Sequence, residues 1–344
     1  MNNILVIRND KLGDFIQAWP AFAMLKASNP SLKVTALVPA YTAPLAEICP
    51  YLDDVIIDRK KDDKADFRRL LNEIKNHHFD GLISFFSNTH NAELAWKSGI
   101  KYRLAPATKL VQFFYNHRLT QRRSRSEKSE AEYNQDLVRA FLKKQNMPIV
   151  EVKPPYLTFD KSAVENQRVF LSRTFGLSTD KKWVFVHSGS GGSATNLSLS
   201  QYAELIQGLL TEFDCDAVLT AGPGESEKAH ELAQFVNDPR VAIYDKNHGL
   251  VDFAHSLACA DLFIAGSTGP LHLSGALNIP TIGFYPSRRS ALPIRWQPIN
   301  EKEKHLSFCP PKGSQTEMNL ELIDIKTALE QIILFVRRMW QPCD

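Results

Sequence analysis

The sequence predicts two α/β domains, each built on a mostly parallel, Rossmann-like sheet. Short apolar runs alternate with helical patterns in both halves of the chain, as they do when crossover helices cover a parallel sheet. The length of 344 residues suits two domains of about 150 residues each. A proline-bearing, extended segment at 148–159 separates the two halves.

The elements of the first half define a predicted N-terminal domain at residues 1–160. Apolar, β-rich runs predict strands at 3–8, 33–38, 54–58 and 80–85. Helical spacing predicts helices at 14–28, 42–48, 64–77 and 130–145.

The pattern restarts in the second half, and the predicted C-terminal domain covers residues 161–318. Strands are predicted at 183–187, 217–220, 241–244, 262–265 and 281–285, with helices at 199–213, 225–237 and 269–277. The last segment, 319–344, has apolar residues at helical spacing and is predicted to be a helix that braces the domains.

Composition excludes several classes of protein. The 41 Lys and Arg residues nearly balance the 38 Asp and Glu residues, so whole-protein attraction to nucleic acid is not indicated. The N-terminus reads as a buried strand and not as a signal peptide, and no apolar run approaches the roughly 18 residues of a membrane span, so we expect a cytoplasmic protein. The five cysteines are scattered singly, which predicts no zinc site and no redox dithiol.

The turn after the first strand, residues 8–14, is placed at the carboxyl edge of the first sheet, where α/β folds bind ligands. It contains one glycine and ends in Asp14, so it does not suit a pyrophosphate. The carboxylate of Asp14 could accept a proton from a hydroxyl group, or it could simply cap the following helix.

The second domain offers a loop of small residues at 188–193, directly after its first strand. Its backbone N–H groups could bind an anion, but no Walker lysine follows, and the loop could also be a flexible connector. After the next strand, Glu225 could bind ribose hydroxyls or cap the helix that follows it.

The strongest local pattern is the segment 263–276. A strand leads into Ser267 and Thr268, and Gly269 and Pro270 begin a helix rich in small residues. This helix end could stabilise the negative charge of a departing diphosphate without a metal, or it could be an ordinary well-capped helix. His272 is more often a packed polar residue than a catalyst at such a position.

A cationic run in the first half contains Arg118, Arg122, Arg123, Arg125 and Lys128. Such runs are usually solvated loops, but they would also suit phosphate or carboxylate groups on an acceptor. The aromatic residues 113–115 just before the run could alternatively contact a membrane surface.

Three segments together resemble glycosyltransferase family 9, the bacterial ADP-heptose:lipopolysaccharide heptosyltransferases. They are Lys11-Leu12-Gly13-Asp14 followed by Pro20, the glutamate-bearing stretch 129–134, and the turn at 267–273. The resemblance spans the chain and implies the GT-B fold, with two Rossmann-like domains facing across a cleft. It also implies an inverting transfer, with the acceptor bound in the first domain, the donor in the second, and Asp14 as the general base.

The resemblance therefore implies an EC 2.4 glycosyltransferase that moves heptose from ADP-heptose to the Kdo region of the lipopolysaccharide or lipooligosaccharide inner core. We expect no cofactor and no metal. The expected partners are the nucleotide sugar, a Kdo-containing lipid A acceptor with or without a phosphate, and the cytoplasmic face of the inner membrane, with no nucleic acid.

These arguments give three sets of candidate site residues. The catalytic candidates are Asp14 and Lys11. The donor-binding candidates are Ser188, Gly189, Ser190, Asn196, Glu225, Ser267, Thr268, Gly269, Pro270 and His272. The acceptor-binding candidates are Arg8, Asn9, Gly13, Arg122, Arg123, Arg125 and Lys128. Asn196 stands where many family members have a lysine, and Ser267 stands where many have an aspartate.

Other functions stay open at this point. The replaced positions 196 and 267 would also fit a catalytically silent protein that binds a nucleotide sugar, or a family 9 transferase with another donor. A nicotinamide oxidoreductase is disfavoured, because no Gly-x-Gly-x-x-Gly follows a strand with an acidic residue about 20 positions later.

Overall fold

The chain forms two compact units, each with its own six-stranded sheet. The computed structural model describes residues 1–59, 63–108, 110–192 and 195–341. The first unit comprises Met1–Arg123 and Glu127–Tyr156, and the second comprises Ser124–Ser126 and Leu157–Asp344. The predicted α/β fold class is confirmed.

The first unit alternates strands and helices along most of its length. Its strands are β1 (Asn3–Ile7), β2 (Lys33–Pro39), β3 (Asp54–Asp58), β4 (Gly81–Ser84), β5 (Tyr102–Pro106) and β6 (His117–Leu119). Its helices are α1 (Leu12–Ile16), α2 (Trp19–Ser28), α3 (Ala43–Glu47), α4 (Lys64–Asn76), α5 (Thr89–Lys97) and α6 (Glu130–Lys144), with 3₁₀ turns at Leu110–Phe114 and Arg123–Arg125.

The first sheet is parallel in every pairing, in the order β3-β2-β1-β4-β5-β6. Strand β1 lies inside it, with Ile4 opposite Val34 on one side and Gly81 on the other. Its residues 4–7 are fully buried, as expected for a strand covered on both faces. The turn that follows β1 therefore lies at the carboxyl edge, beside the ends of β2 and β4.

The single helix predicted at 14–28 is wrong, because the structure contains two helices there. Helix α1 ends at Ile16, and α2 begins at Trp19 with Pro20 in its first turn. Proline has no N–H to donate and its ring clashes with the preceding turn, so a continuous helix through Pro20 is disfavoured and a new helix starts there.

The second unit repeats the alternation. Its strands are β7 (Lys182–His187), β8 (Cys215–Thr220), β9 (Val241–Tyr244), β10 (Leu262–Gly266), β11 (Thr281–Phe284) and β12 (His305–Phe308). Its helices are α7 (Lys161–Phe175), α8 (Leu199–Glu212), α9 (Ser226–Val236), α10 (Leu250–Leu257), α11 (Gly269–Ala276), α12 (Pro293–Trp296) and α13 (Ile325–Trp340). Short 3₁₀ turns lie at Arg289–Ala291, Lys302–Lys304 and Leu320–Leu322.

The second sheet is also parallel, in the order β12-β11-β10-β7-β8-β9. Strands β10, β7 and β8 are neighbours, so the loops after them lie side by side at one edge. Helix α13 packs against α8 and β12 in this unit, where Leu329 fills the space beside Gly208. Among the described residues, no helix is both long and apolar enough to cross a bilayer.

Candidate functional site

Asp14 lies in the first turn of α1, directly after the turn that follows β1. Its side chain is 17% exposed, and its Oδ1 accepts a hydrogen bond from Nη2 of the buried Arg8 at 2.7 Å. The N-cap residue of α1 is the exposed Lys11, whose side chain makes no capping bond. Gly13 follows inside α1, where its carbonyl accepts the N–H of Gln17. The alternative that Asp14 caps α1 is therefore wrong, because Lys11 occupies the N-cap position.

Arg8 contacts three carboxylates. Its Nε lies 3.1 Å from Asp10 Oδ1, and its Nη1 lies 3.0 Å from Glu130 Oε1, in addition to the bond with Asp14. Burial alone would lower the pKa of Arg8, but the negative charges of Asp10, Glu130 and Asp14 raise it above its usual value. Arg8 is therefore permanently charged and fixes the position of the Asp14 carboxylate.

Arg123, in the predicted acceptor set, joins this cluster from the 3₁₀ turn before α6. Its Nη1 donates to Glu130 Oε1 at 2.7 Å and to the carbonyl of Phe85 at 3.2 Å. Glu130 is the first residue of α6, and a capping box formed by Ser129 and Glu132 fixes that helix start. Two guanidinium groups thus share one buried carboxylate.

Asp10 is a member of the cluster that was absent from the predicted site. Burial raises the pKa of Asp10 to about 7, against the opposing effect of the Arg8 charge, and the negative charge of Asp14 adds to the rise. Three carboxyl groups face two guanidinium groups, so one of the carboxyls readily keeps a proton near neutral pH. The sequence signal that could have identified Asp10 is its position four residues before Asp14 in the same turn.

Asn9 is directed to a second polar cluster at the same sheet edge. Its side-chain amide exchanges hydrogen bonds with that of Asn91 at 2.8 Å in both directions, and it donates to Asp58 Oδ2 at 2.5 Å. The Nε2 of His90 lies 3.1 Å from the same Asp58 oxygen. These contacts tie the end of β1 to the end of β3 and to α5.

The other predicted acceptor-side cations are dispersed. Arg122 is exposed and has a left-handed backbone, with φ of 47°. Arg125 is exposed, and Lys128 donates to Asp136 Oδ2 at 2.8 Å on the surface of α6. Of the predicted cationic run, the structure brings Arg123 to the Arg8 cluster and directs Lys128 elsewhere.

In the second unit, the small-residue loop after β7 turns its N–H groups toward an anion that belongs to the chain itself. That anion is the carboxylate of Glu225, which accepts from the N–H groups of Ser190 and Gly191 at 2.7 Å each and from Gly222 at 3.1 Å. Burial would raise the pKa of Glu225, but the hydrogen bond from Gly191 and the nearby His187 lower it below its usual value. Glu225 occupies the N-cap position of α9, as the capping alternative predicts, but its side chain makes no capping bond there.

Glu225 and Asn196 fix this loop in place. A side chain at Gly189 would overlap Glu225, since its Cβ would lie 1.9 Å from Oε2. Asn196 donates to the carbonyls of Ser188 at 2.8 Å and Gly189 at 3.2 Å, and its Oδ1 accepts from the Tyr202 hydroxyl at 2.6 Å. Asn196 therefore holds the loop and brings no positive charge to it.

The segment after β10 ends in an open helix terminus. Thr268 is the N-cap of α11, yet its side chain makes no capping bond, and within the described residues its buried Oγ1 has no hydrogen-bond partner. Pro270 fixes the first turn, and Ser267 and Gly269 remain partly exposed. The N–H groups at this end therefore lack the side-chain acceptor that usually satisfies them.

These predicted donor-side residues converge at three neighbouring strand ends. Loop 188–192 follows β7, Glu225 follows β8, and residues 267–270 follow β10. The close fit between Asn196 and Gly266 links the first and third segments, since a Cβ on this glycine would lie 2.7 Å from Asn196 Oδ1. Residue 193 of the predicted loop lies outside the described residues.

His272 is the exception, because it lies inside the second unit and not at its open edge. It is buried on α11, and burial lowers its pKa to about 4. Burial also lowers the pKa of His305 on β12, to about 3. The ring nitrogens of His305 bond Thr281 Oγ1 and Tyr285 Oη. Both imidazoles are neutral near pH 7 and supply no charge to an anion.

Metal-binding chemistry has no visible site in the described part of the chain. No group of three or more His, Cys, Asp or Glu side chains within the residues that the structure describes could hold a metal ion. Cys49, Cys215 and Cys259 are buried free thiols, and Cys309 is partly buried.

Known proteins resemble this chain in sequence and in fold. A Haemophilus influenzae protein whose provisional name is glycosyltransferase is 78% identical over 341 residues, which are 99% of both chains. Lipooligosaccharide heptosyltransferase 2 of Campylobacter jejuni is 25% identical over 144 residues, or 41% of this chain and 45% of that one. The solved structure of Escherichia coli ADP-heptose LPS heptosyltransferase II aligns with a TM-score of 0.77 at 18% identity, over 98% of this chain and 99% of the other.

The fold and the family follow from these matches. The two parallel sheets and the structural match identify the GT-B fold. The sequence profile of glycosyltransferase family 9 (heptosyltransferase) matches residues 67–321. The chain belongs to glycosyltransferase family 9, and the protein is a glycosyltransferase.

Proposed function

We propose that the protein is an inverting glycosyltransferase that moves heptose from ADP-heptose to the Kdo region of the lipooligosaccharide inner core, with Asp14 as general base. The observation that carries this proposal is the partly exposed Asp14 carboxylate, held by the buried Arg8 at a sheet edge. The names of two relatives, an ADP-heptose LPS heptosyltransferase and a lipooligosaccharide heptosyltransferase, support the donor and the acceptor class.

On the acceptor side, Asp14 takes the proton of an acceptor hydroxyl as its oxygen attacks the anomeric carbon of the heptose. The bond from that carbon to the β-phosphate oxygen breaks, and ADP leaves with the electron pair. A single displacement of this kind inverts the anomeric centre and needs one base. Arg8 holds Asp14 through a charge-assisted hydrogen bond, which keeps the carboxylate in one orientation.

On the donor side, we assign the diphosphate to the N-terminus of α11. Its open N–H groups and helix dipole stabilise the charge that develops on departing ADP. Thr268 Oγ1, buried without a partner among the described residues, can donate to a phosphate oxygen there. These groups perform a role that a metal ion plays in other transferases, so the proposal requires none.

ADP release tests the reaction. The protein is mixed with ADP-heptose and, separately, with Kdo-lipid A, its phosphorylated form, and versions of both that already carry heptose. We expect ADP to appear with at least one of these acceptors. We expect Asp14→Asn to reduce kcat by at least about 100-fold, because the amide cannot accept the proton.

Asp66→Asn is the matched control, since Asp66 is also a surface aspartate in the first turn of a helix paired with an arginine. Wild-type rates are expected for this variant. ADP release unchanged in Asp14→Asn would refute Asp14 as the base. Absence of ADP release with every acceptor would refute the proposed reaction.

One observation favours a second candidate, a family 9 transferase with a different nucleotide sugar. The amide of Asn196 is bonded to the loop carbonyls of Ser188 and Gly189, so this position supplies no cation to a phosphate. Calorimetry with ADP-heptose and with other nucleotide sugars separates the candidates. Tight binding of a different sugar nucleotide, with turnover, would favour this second candidate, and tight binding without any turnover would indicate a silent binding protein.

A further inference from the structure

An exposed apolar surface lies on the first unit, between α5 and the 3₁₀ turn Leu110–Phe114. It comprises Trp96, Leu110, Phe113 and Phe114, which we call the aromatic patch. Their exposed fractions are 56%, 83%, 71% and 37% in the whole chain. Large apolar side chains are seldom grouped in this way on a surface that meets only water.

The aromatic patch is anchored by neighbouring residues that pack in the core of the first unit. Val111, on the same turn, and Tyr115, directly after it, pack into the hydrophobic core of the first unit. Side chains three residues apart eclipse each other in a 3₁₀ helix, so Leu110 and Phe113 project on the same side. The rings of Trp96 and Phe114 are in edge contact, with centroids 5.8 Å apart. The patch is thus a fixed feature of the fold.

The segment around the patch is strongly basic. Residues 96–128 contain nine of the 41 Lys and Arg residues but only one of the 38 Asp and Glu residues. The guanidinium of Arg118 lies 5.5 Å from the centre of the Phe113 ring, and Lys101 is exposed. The whole chain is nearly neutral, but the segment 96–128 has an excess of positive charge.

We propose that the aromatic patch docks the protein on an anionic lipid bilayer. Aromatic and leucine side chains insert at the boundary between headgroups and acyl chains, while neighbouring Lys and Arg side chains pair with negatively charged headgroups. The exposed cations Lys101 and Arg118 match a surface of uniform negative charge. A protein partner would more often present both signs, so the membrane fits this surface better.

Co-sedimentation with lipid vesicles tests the apolar part. Wild-type protein is mixed with vesicles of phosphatidylcholine alone or of phosphatidylcholine and phosphatidylglycerol in equal parts. We expect binding to the anionic vesicles that weakens with added salt. Leu110→Ser combined with Phe113→Ser should weaken the binding by about tenfold or more. The matched control replaces Phe235 and Leu334 by serine, since both are exposed on the second unit at 50% and 66%.

A charge-reversal pair tests the electrostatic part. Lys101→Glu combined with Arg118→Glu should reduce binding to the anionic vesicles about tenfold or more. Lys228→Glu combined with Lys326→Glu changes the net charge equally on exposed positions of the second unit, and it should have a smaller effect. An equal loss in both pairs would show a non-specific charge effect and overturn the proposal.

Two further results would also overturn it: no binding of the wild type to anionic vesicles, or a dimer in sedimentation velocity that the Leu110→Ser and Phe113→Ser changes dissociate. Thermal unfolding of each variant verifies folding, which substitutions at exposed positions should preserve. The vesicle measurements use neither donor nor acceptor. Their outcome is therefore independent of the proposed reaction.

Discussion

Arg8 Nη2 donates to Asp14 Oδ1 at 2.7 Å, and this bond joins the end of β1 to the first turn of α1. The guanidinium is almost fully buried, whereas the carboxylate keeps contact with solvent. Arg8 thus presents Asp14 at the sheet edge from a fixed position.

Arg8→Lys is expected to reduce kcat about 10- to 100-fold and to destabilise the protein by about 1–3 kcal/mol, because one ammonium group cannot bond three carboxylates in this geometry. ADP release and urea unfolding measure the two effects. Arg139→Lys is the control, since Arg139 also bonds two carboxylates but is 33% exposed. Unchanged activity in Arg8→Lys would contradict the positioning role of Arg8.

Asp10→Asn should change how stability depends on pH. The folded-state pKa of Asp10 is raised from 3.8 to about 7, so the folded protein binds an extra proton between these values. The stability that this proton contributes is complete below pH 4 and is lost as pH rises through 7. Relative to Asp10→Asn, the wild type should lose about 1–3 kcal/mol between pH 5 and pH 8. Calorimetric Tm values at both pH values measure this, and parallel pH curves would contradict the assignment.

Gly189→Ala and Glu225→Ala should act through one interaction. The added Cβ would displace the Glu225 carboxylate from its N–H donors, and each single variant should lose about 1–3 kcal/mol of unfolding free energy. The double variant should lose about as much as Glu225→Ala alone, because the three atoms nearest the added Cβ all belong to the Glu225 side chain. Denaturant unfolding of all four proteins measures the coupling, and additive losses would disagree with the structure.

His305→Gln should make the protein less sensitive to acid. The folded-state pKa of His305 is lowered from 6.5 to about 3, so the unfolded chain binds a proton more readily between these values. The corresponding stability is present above pH 6.5 and is lost as pH falls. Between pH 7 and pH 4, the wild type should lose about 2–3 kcal/mol relative to the variant, measured again by Tm. Equal acid sensitivity would argue against a buried, neutral imidazole.

The long apolar strands were predictable from sequence, because β1, β2 and β7 are buried on both faces and their runs are continuous. Strands β5, β6 and β12 were missed. The last two are edge strands, and His117–Leu119 and His305–Phe308 are short, polar in part and mostly half-buried. The break between α1 and α2 was missed because apolar spacing continues through it, although Pro20 marked it.

The site was predictable where its residues directly follow strands that the sequence predicts. The donor-side segments follow three strands that the alternation identified, so their convergence follows from the topology. Glu130 could not be placed beside Arg8 from spacing alone, because the two are 122 residues apart and their contact depends on the docking of α6. The roles of Asp14 and of the donor-side residues stay predictions.

The carboxylate of Glu225 occupies the N–H groups of the loop after β7 and would compete with any external anion for them. Because the same chain carries both, the carboxylate is present at the N–H groups of Ser190 and Gly191 at an effective concentration of about millimolar or more. Any external anion that binds these N–H groups must exchange with it. If phosphate binds this loop, neutralising residue 225 should therefore raise its affinity above that of the wild type.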